Sequence, residues 1–147
     1  MHVLLVEYPG YAGLPGEPNQ PAIRGHFERG LDAARAALAP GNPRVIGLGY
    51  SIGAAVIADL SRTRPLDGMV LHTPFRSLRH MALRRGLLPA LVRNPFDTLD
   101  AVRTFKGPVR VVHGLKDPII PAEEGKAVAA AAASGTFLGV PDSGHDA

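Results

Sequence analysis

The feature that most constrains the fold is a short apolar strand that runs through a tight turn directly into a buried helix. Residues Arg44–Leu48 (RVIGL) are apolar and rich in β-formers, which indicates a buried strand. Residues Ile52–Leu60 are apolar on nearly every side, which indicates a buried helix. The turn between them is Gly49-Tyr50-Ser51-Ile52-Gly53. This segment predicts one strand–helix unit of an α/β fold.

The same alternation of strands and helices recurs along the chain. Helices are predicted from Ile23 to Leu38, where apolar residues recur at spacings of three and four, and over Glu123–Ala133. Alternating buried strands and helices indicate a parallel sheet. We expect an α/β fold with a mostly parallel sheet of about five strands and helices on both faces, in one domain over residues 1–147. The predicted strands are His2–Tyr8, Arg44–Leu48, Asp67–His72, Pro108–His113 and Thr136–Val140.

Composition restricts the environment and the partners of the chain. The chain has 147 residues and no cysteine, so disulfides and thiolate metal sites are excluded. The apolar run Val3–Val6 is too short for a signal peptide or a membrane span, so a cytoplasmic location is expected.

The charge of the chain is unevenly placed. The net charge is +3, and much of the arginine lies between Arg76 and Arg93. This bias permits weak contact with anionic or lipid surfaces. The sequence has no zinc-finger spacing and no pattern of aromatic residues among basic ones, so no nucleic-acid partner is expected.

The turn after the second predicted strand matches the pattern G-x-S-x-G. In a sharp strand-to-helix turn the middle residue is strained and its side chain projects above the sheet. Ser51 is therefore the candidate nucleophile. The backbone N–H of Ile52, at the N-terminus of the helix, is the candidate oxyanion donor. The alternative is a plain Gly-Ser turn or a helix N-cap.

An acid and a base are expected at the ends of later strands. Asp117 follows the strand at Pro108–His113, and His145 follows the last strand, so both share a sheet edge with Ser51. His145 would take the serine proton, and Asp117 would orient the imidazole. Two alternatives stay open: Asp117 as an ordinary turn residue, and His145 as a solvated loop residue. Asp142 and Asp146 are weaker candidates for the acid because they lie too close to His145 in sequence.

The remaining histidines give no metal-binding pattern. His113 and His72 end apolar strands and are interpreted as hydrogen-bonded core residues. No H-x-x-x-H or H-E-x-x-H spacing is present, so no metal site is expected.

Six motifs, in this order along the chain, carry a resemblance to a known family: VEYPGYAGLPGEP (Val6–Pro18), GYSIGAA (Gly49–Ala55), LHTPFRSL (Leu71–Leu78), RNPFDTLDAV (Arg93–Val102), VVHGLKDPIIP (Val111–Pro121) and VPDSGHD (Val140–Asp146). With these motifs the chain resembles the α/β-hydrolase superfamily, in particular small uncapped members of the Bem46 and ABHD13/ABHD17 kind. The resemblance implies an acyl hydrolase of esters or thioesters that needs no cofactor, with Ser51, Asp117 and His145 as its triad.

Relative to that family the chain is shortened at both ends, as a core fragment or a minimal version. The resemblance places its start at the family's fourth strand, without the loop that supplies a second oxyanion donor, and leaves out the helix after the histidine. Loss of one donor typically slows such enzymes by about 10²–10³. We expect N–H groups of the Tyr8–Gly13 loop to substitute for it. An uncovered apolar sheet face would favour a homo-oligomer.

The expected reaction is cleavage of a small-molecule acyl ester or thioester through an acyl-enzyme on Ser51. Tyr50, Phe75 and Ile119 are the candidate substrate-binding residues. The segment Arg76–Arg93 is either a lid-like element that contacts lipid or a solvated surface helix. Two alternative functions are a weak or inactive remnant that serves as a binding module, and another serine-dependent reaction such as peptide hydrolysis or acyl transfer.

Overall fold

The computed structural model describes residues 1–146. Backbone contacts divide the chain into two compact units, Met1–Arg44 and the part from Val45 onward. The prediction of a single domain stays a prediction. The elements in chain order are α1 (Gln20–Ala37), β1 (Ile46–Tyr50), α2 (Ile52–Leu60), β2 (Gly68–His72), α3 (Leu78–Arg84), a 3₁₀ turn (Pro89–Leu91), α4 (Thr98–Thr104), β3 (Val109–Gly114), α5 (Ala122–Ala131) and β4 (Gly135–Val140).

The first unit is built around α1. The side chain of Asn19 caps this helix by accepting a hydrogen bond from the N–H of Ala22. The ring of Tyr8 packs 5.8 Å from the ring of Phe27 on α1. The preceding segment therefore lies against the helix through its side chains.

The prediction of a strand over His2–Tyr8 is wrong. Within residues 1–146 this segment belongs to no strand. An apolar, β-rich run becomes a strand only when a neighbouring strand takes up its backbone N–H and C=O groups. The segment packs instead on α1, and its backbone leads into a local turn in which Tyr11 donates to the carbonyl of Tyr8 and Gly10 to that of Leu14.

The second unit contains a parallel sheet of four strands in the order β1-β2-β3-β4. The register aligns Gly47 with Met69, Met69 with Val109, and Val109 with Gly135. The predicted α/β fold with a parallel sheet is confirmed, with four strands in place of about five. Because the strands are parallel and adjacent in sequence order, their carboxyl ends share one edge of the sheet.

One face of this sheet forms the core. Met69, Leu71, Val109 and Val111 are buried on it, beneath α2 and α5, and α4 packs against both helices. Helices are predicted on both faces. On the other face of this sheet, however, the exposed side chains include those of Ile46, Leu48 and Leu138.

None of the helices within residues 1–146 combines the length and the apolar character needed to cross a membrane.

Candidate active site

The turn between β1 and α2 holds Ser51 in a strained backbone conformation. Its φ of 52° and ψ of −117° are rare for a residue with a side chain. The N–H of Ser51 donates to the carbonyl of His72 at the end of β2, 2.9 Å away, which ties the turn to the neighbouring strand. A side chain at position 49 would collide with the backbone of Gly53 and Ala54. Glycine at this position therefore lets the helix start directly against the strand end.

The hydroxyl of Ser51 does not serve as a helix cap. Ser51 occupies the N-cap position of α2, but its side chain makes no capping hydrogen bond. Its Oγ lies 3.2 Å from Nε2 of His145 instead. The alternative of a simple helix cap is therefore not what the structure shows.

His145 lies between the hydroxyl of Ser51 and the carboxylate of Asp117. Its Nδ1 is 2.8 Å from Oδ2 of Asp117. An ionised carboxylate only accepts hydrogen bonds, so Nδ1 carries the proton and donates it. In the neutral ring Nε2 is then the acceptor for the Ser51 hydroxyl. The arrangement can move the serine proton to the imidazole and stabilise the cation that forms.

The surroundings of Asp117 keep its carboxylate ionised. Burial raises the pKa of Asp117, but this effect is outweighed by hydrogen bonds from the N–H of Ile120, from the ring of His145 and from the N–H of Ile119. The two backbone donors lie 2.9 and 2.8 Å from Oδ1. The net result is a pKa below the ordinary value for aspartate.

The two competing carboxylates are engaged elsewhere. Asp142 forms an ion pair with Lys116. Asp146 accepts a hydrogen bond of 2.6 Å from the hydroxyl of Tyr50. His145 therefore has Asp117 as its acidic partner in the structure.

Tyr50 lies beside His145. The hydrogen bond to the Asp146 carboxylate raises the pKa of Tyr50 to about 12, so the phenol stays neutral. Its ring centroid is 5.2 Å from the ring of His145 and 5.2 Å from that of His72. The sequence predicts Tyr50 as a substrate-binding residue, whereas the structure gives it a contact that limits the freedom of the His145 ring.

Backbone hydrogen bonds join the two loops that carry Asp117 and His145. Leu115 donates to the carbonyl of Val140 at 3.0 Å, and Lys116 donates to that of Ser143 at 2.9 Å. These bonds continue the β3–β4 ladder beyond the strands. They fix the spacing between the acid and the base.

His113 forms a hydrogen bond with the loop that carries Asp117. Its ring is fully buried, and its Nε2 donates to the carbonyl of Ile120, 2.8 Å away. The same residue Ile120 donates its N–H to Asp117. His113 therefore helps to hold the loop that stabilises the carboxylate, in agreement with its interpretation as a hydrogen-bonded core residue.

A cavity of about 420 Å³ opens beside Ser51 and is lined mostly by apolar side chains. Ser51 and Ile52 lie on its wall, and so do Phe75 and Ile119, which the sequence predicts as substrate-binding residues. Tyr50 is not among its lining residues. The other lining residues are Leu78, Met81, Ala82, Arg85, Leu87, Val92 and Ile120. A cavity of this size and polarity suits a small apolar group.

Glu124, which no sequence motif singles out, anchors one wall of the cavity. Its side chain is fully buried near the start of α5. One carboxylate oxygen accepts a hydrogen bond of 3.0 Å from the N–H of Arg76, and the other lies 3.1 Å from Nε2 of His80 on α3. The only sequence signal is its spacing of four from Val128, which places both residues on the buried face of α5.

Within the described part of the chain, no group of three or more histidine, aspartate or glutamate side chains could hold a metal ion.

The sequence of the chain is similar to those of several curated proteins. No protein-family model matches the chain. It is 31% identical over 150 residues to the uncharacterized protein Rv2307c of Mycobacterium tuberculosis, covering 99% of this chain and 53% of that protein. It is 28% identical over 166 residues to the alpha/beta hydrolase domain-containing protein WAV2 of Arabidopsis thaliana, covering 98% and 54%.

The fold of the chain also matches solved structures of esterases. The esterase RhEst1 from Rhodococcus sp. ECU1013 matches with a TM-score of 0.68 at 16% identity, over 95% of this chain and 71% of that one. The chain has the α/β-hydrolase fold and is similar in sequence to α/β-hydrolase domain-containing proteins. It spans about half the length of the curated relatives it matches.

Proposed function

We propose that this chain hydrolyses carboxylic esters or thioesters through an acyl-enzyme on Ser51. The observation that carries the proposal is the hydrogen-bonded series Ser51–His145–Asp117, which opens onto an apolar cavity. The chain shares its fold with the esterase RhEst1, which supports ester hydrolysis as the reaction class.

The first half of the reaction forms the acyl-enzyme. Nε2 of His145 takes the proton of Ser51, and Oγ bonds to the carbonyl carbon of the ester. The carbonyl oxygen becomes an oxyanion. Ile52 is the first residue of α2, so its N–H has no acceptor within the helix and can donate to that oxyanion. Collapse breaks the bond to the alcohol or thiol, which leaves with the proton from His145.

The second half returns the enzyme to its starting state. His145 takes a proton from a water molecule, whose oxygen attacks the acyl carbon. The bond to Oγ breaks, Ser51 regains its proton from His145 and the carboxylic acid departs. Asp117 keeps the ring orientation and stabilises the imidazolium in both halves.

A second oxyanion donor stays a prediction. Within the described Tyr8–Gly13 loop, the N–H groups of Tyr8, Gly10 and Tyr11 already donate to Glu7, Leu14 and Tyr8, respectively. With one donor the reaction would be slower by about 10²–10³ than with two.

The test is hydrolysis of nitrophenyl esters by the wild type and by two serine variants. We expect Ser51→Ala to lower kcat/KM at least about 10⁴-fold. Ser134→Ala, at an exposed loop position before β4, should leave it within about twofold of wild type. A folded wild-type protein that shows no serine-dependent turnover would favour the alternative of a binding module. Turnover of peptides or acyl transfer to alcohols in preference to water would favour the third function.

A further inference from the structure

Helix α3 and the segment that follows it expose several leucine side chains. Neither α3 nor the 3₁₀ turn has a buried residue. Four leucines within nine positions are exposed: Leu83 (59%), Leu87 (60%), Leu88 (68%) and Leu91 (75%). Isolated exposed leucines are common on proteins, but a concentration of this kind marks a surface that contacts an apolar partner.

The same segment carries the positive charge of the protein. Between Asp67 and Asp97 the sequence contains five arginines and no acidic residue. Outside Arg76–Arg93 the chain has 13 acidic residues and 11 lysines and arginines, so the remainder is slightly acidic. Arg79, Arg84, Arg85 and Arg93 are all exposed. The partner of this segment is therefore expected to be both anionic and apolar.

An ordered turn presents these leucines. Gly86 has a φ of +72°, and its N–H donates to the carbonyl of Leu83 at 3.0 Å. The N–H of Leu87 donates to the carbonyl of Ala82 at 2.9 Å. These two bonds form the Schellman motif that ends a helix at glycine. The exposure of Leu87 and Leu88 follows from a regular helix end and not from an unfolded segment.

From these observations we propose that this segment is a docking surface for an anionic lipid bilayer. The leucine–arginine surface consists of Leu83, Leu87, Leu88 and Leu91 with Arg79, Arg84, Arg85 and Arg93. Leucine side chains would enter the boundary between headgroups and acyl chains, and arginines would pair with lipid phosphates. A nucleic acid fits less well, because Arg76–Arg93 contains no Phe, Tyr or Trp for base stacking and the leucines would stay exposed.

The surface continues into the cavity beside Ser51. Met81, Ala82, Arg85 and Leu87 all line that cavity. A bilayer docked on this surface would therefore face the entrance through which an acyl chain reaches Ser51. This surface goes beyond the proposed reaction, and lipid binding stands whether or not Ser51 reacts.

The experiment is vesicle cosedimentation with the whole chain. Vesicles are made of phosphatidylcholine alone or with roughly one third phosphatidylglycerol, at about 0.05 to about 0.5 M salt. We expect the protein to bind the anionic vesicles at least about tenfold more tightly than the neutral ones and to lose affinity as salt rises. Ser51→Ala should bind like wild type, which separates failure of docking from failure of the hydrolase proposal.

Two pairs of variants test the two halves of the surface against matched controls. Leu88→Ser with Leu91→Ser should weaken binding at least about tenfold, and Arg79→Glu with Arg93→Glu at least about 20-fold. The controls are Leu48→Ser with Leu138→Ser, at exposed leucines on the sheet, and Arg103→Glu with Lys106→Glu, at exposed cations around the end of α4. These should change binding less than about threefold.

Thermal unfolding checks that each variant is folded. If a double variant unfolds, Leu91→Ala and Arg93→Gln replace it. The proposal is overturned if wild type binds neutral and anionic vesicles equally, or if the control pairs weaken binding as much as the test pairs do. If the chain bound an acidic protein but had no affinity for anionic vesicles, the proposal would also be overturned.

Discussion

The loops that hold Ser51, Asp117 and His145 and the segment Arg76–Arg93 are held in very different ways, although residues of the first two loops and of the segment line the same cavity. The three loops extend a buried sheet. Backbone hydrogen bonds join the Asp117 and His145 loops to each other and the Ser51 turn to the end of β2. The segment Arg76–Arg93 buries no residue of its helical turns. It is held to the rest of the unit by the side chain of Glu124 and by two backbone hydrogen bonds, from Leu78 to the carbonyl of Pro95 and from Leu99 to that of Arg76.

This difference separates two tasks of the site. Proton transfer needs heavy-atom distances near 3 Å, and only a rigid backbone holds side chains to that tolerance. Accommodation of an acyl chain needs apolar area and some freedom of movement. We therefore expect changes in the loops to reduce the rate of the chemical step, and changes in the segment to alter substrate preference and surface binding.

The largest expected effect is the loss of activity when Asp117, the acid of the triad, is replaced. Asp117→Asn should lower kcat for ester hydrolysis about 10⁴-fold, because an amide no longer fixes the tautomer that leaves Nε2 free to accept the serine proton. Asp142→Asn and Asp146→Asn are the matched controls, since these carboxylates contact Lys116 and Tyr50. A comparable loss in either control would show that the acid is misassigned.

The next effect is on stability and compares Gly49, beside the Ser51 turn, with Gly86, at the end of α3. Gly49→Ala should lower the free energy of unfolding by about 3 kcal/mol, because its Cβ would meet the backbone of Gly53 and Ala54. Gly86→Ala should lower the free energy of unfolding by only about 1 kcal/mol. The added Cβ has no atom within 4 Å, so the cost comes from the positive φ alone. Denaturant unfolding of both variants measures the contrast, and equal losses would contradict it.

A smaller effect is expected at the anchor of the cavity wall. Glu124→Gln should lower the free energy of unfolding by about 1–3 kcal/mol, because a buried charge that serves Arg76 and His80 is lost. It should also raise KM several-fold for long acyl esters while kcat for an acetyl ester stays near wild type. Glu123→Gln, at an exposed neighbour on α5, is the control. Loss of kcat with unchanged KM would contradict a positioning role for Glu124.

The smallest effect is the pH dependence of stability that comes from Asp117. Its pKa is lower in the folded protein than in the unfolded chain, so the carboxylate stabilises the fold at pH values above about 4. That contribution declines as the pH falls from about 4 towards the folded-state pKa. The difference in unfolding free energy between wild type and Asp117→Asn should shrink as the pH falls below about 4. A difference that grows on acidification below about pH 4 would contradict this sign.

Most of the second unit could be predicted because local pattern and topology agree there. The all-apolar run Ile52–Leu60 and the glycines around Ser51 predict the elbow. The rule that parallel strands share a carboxyl edge groups Ser51 with Asp117 and His145. The segment His2–Tyr8 was mispredicted because an apolar run does not reveal whether a neighbouring strand exists. Glu124 was missed because Arg76 lies 48 positions away along the chain, and local sequence does not reveal such a partner.

The most direct test of the central claim is covalent labelling of the folded protein by a fluorophosphonate, followed by intact-mass and peptide analysis. Ser51 should carry a single adduct, His145→Ala should slow labelling at least about 10³-fold, and Ser134→Ala should leave it unchanged. A folded wild-type protein that acquires no adduct, or an adduct that persists in Ser51→Ala, would contradict the assignment of Ser51 as a nucleophile activated by His145.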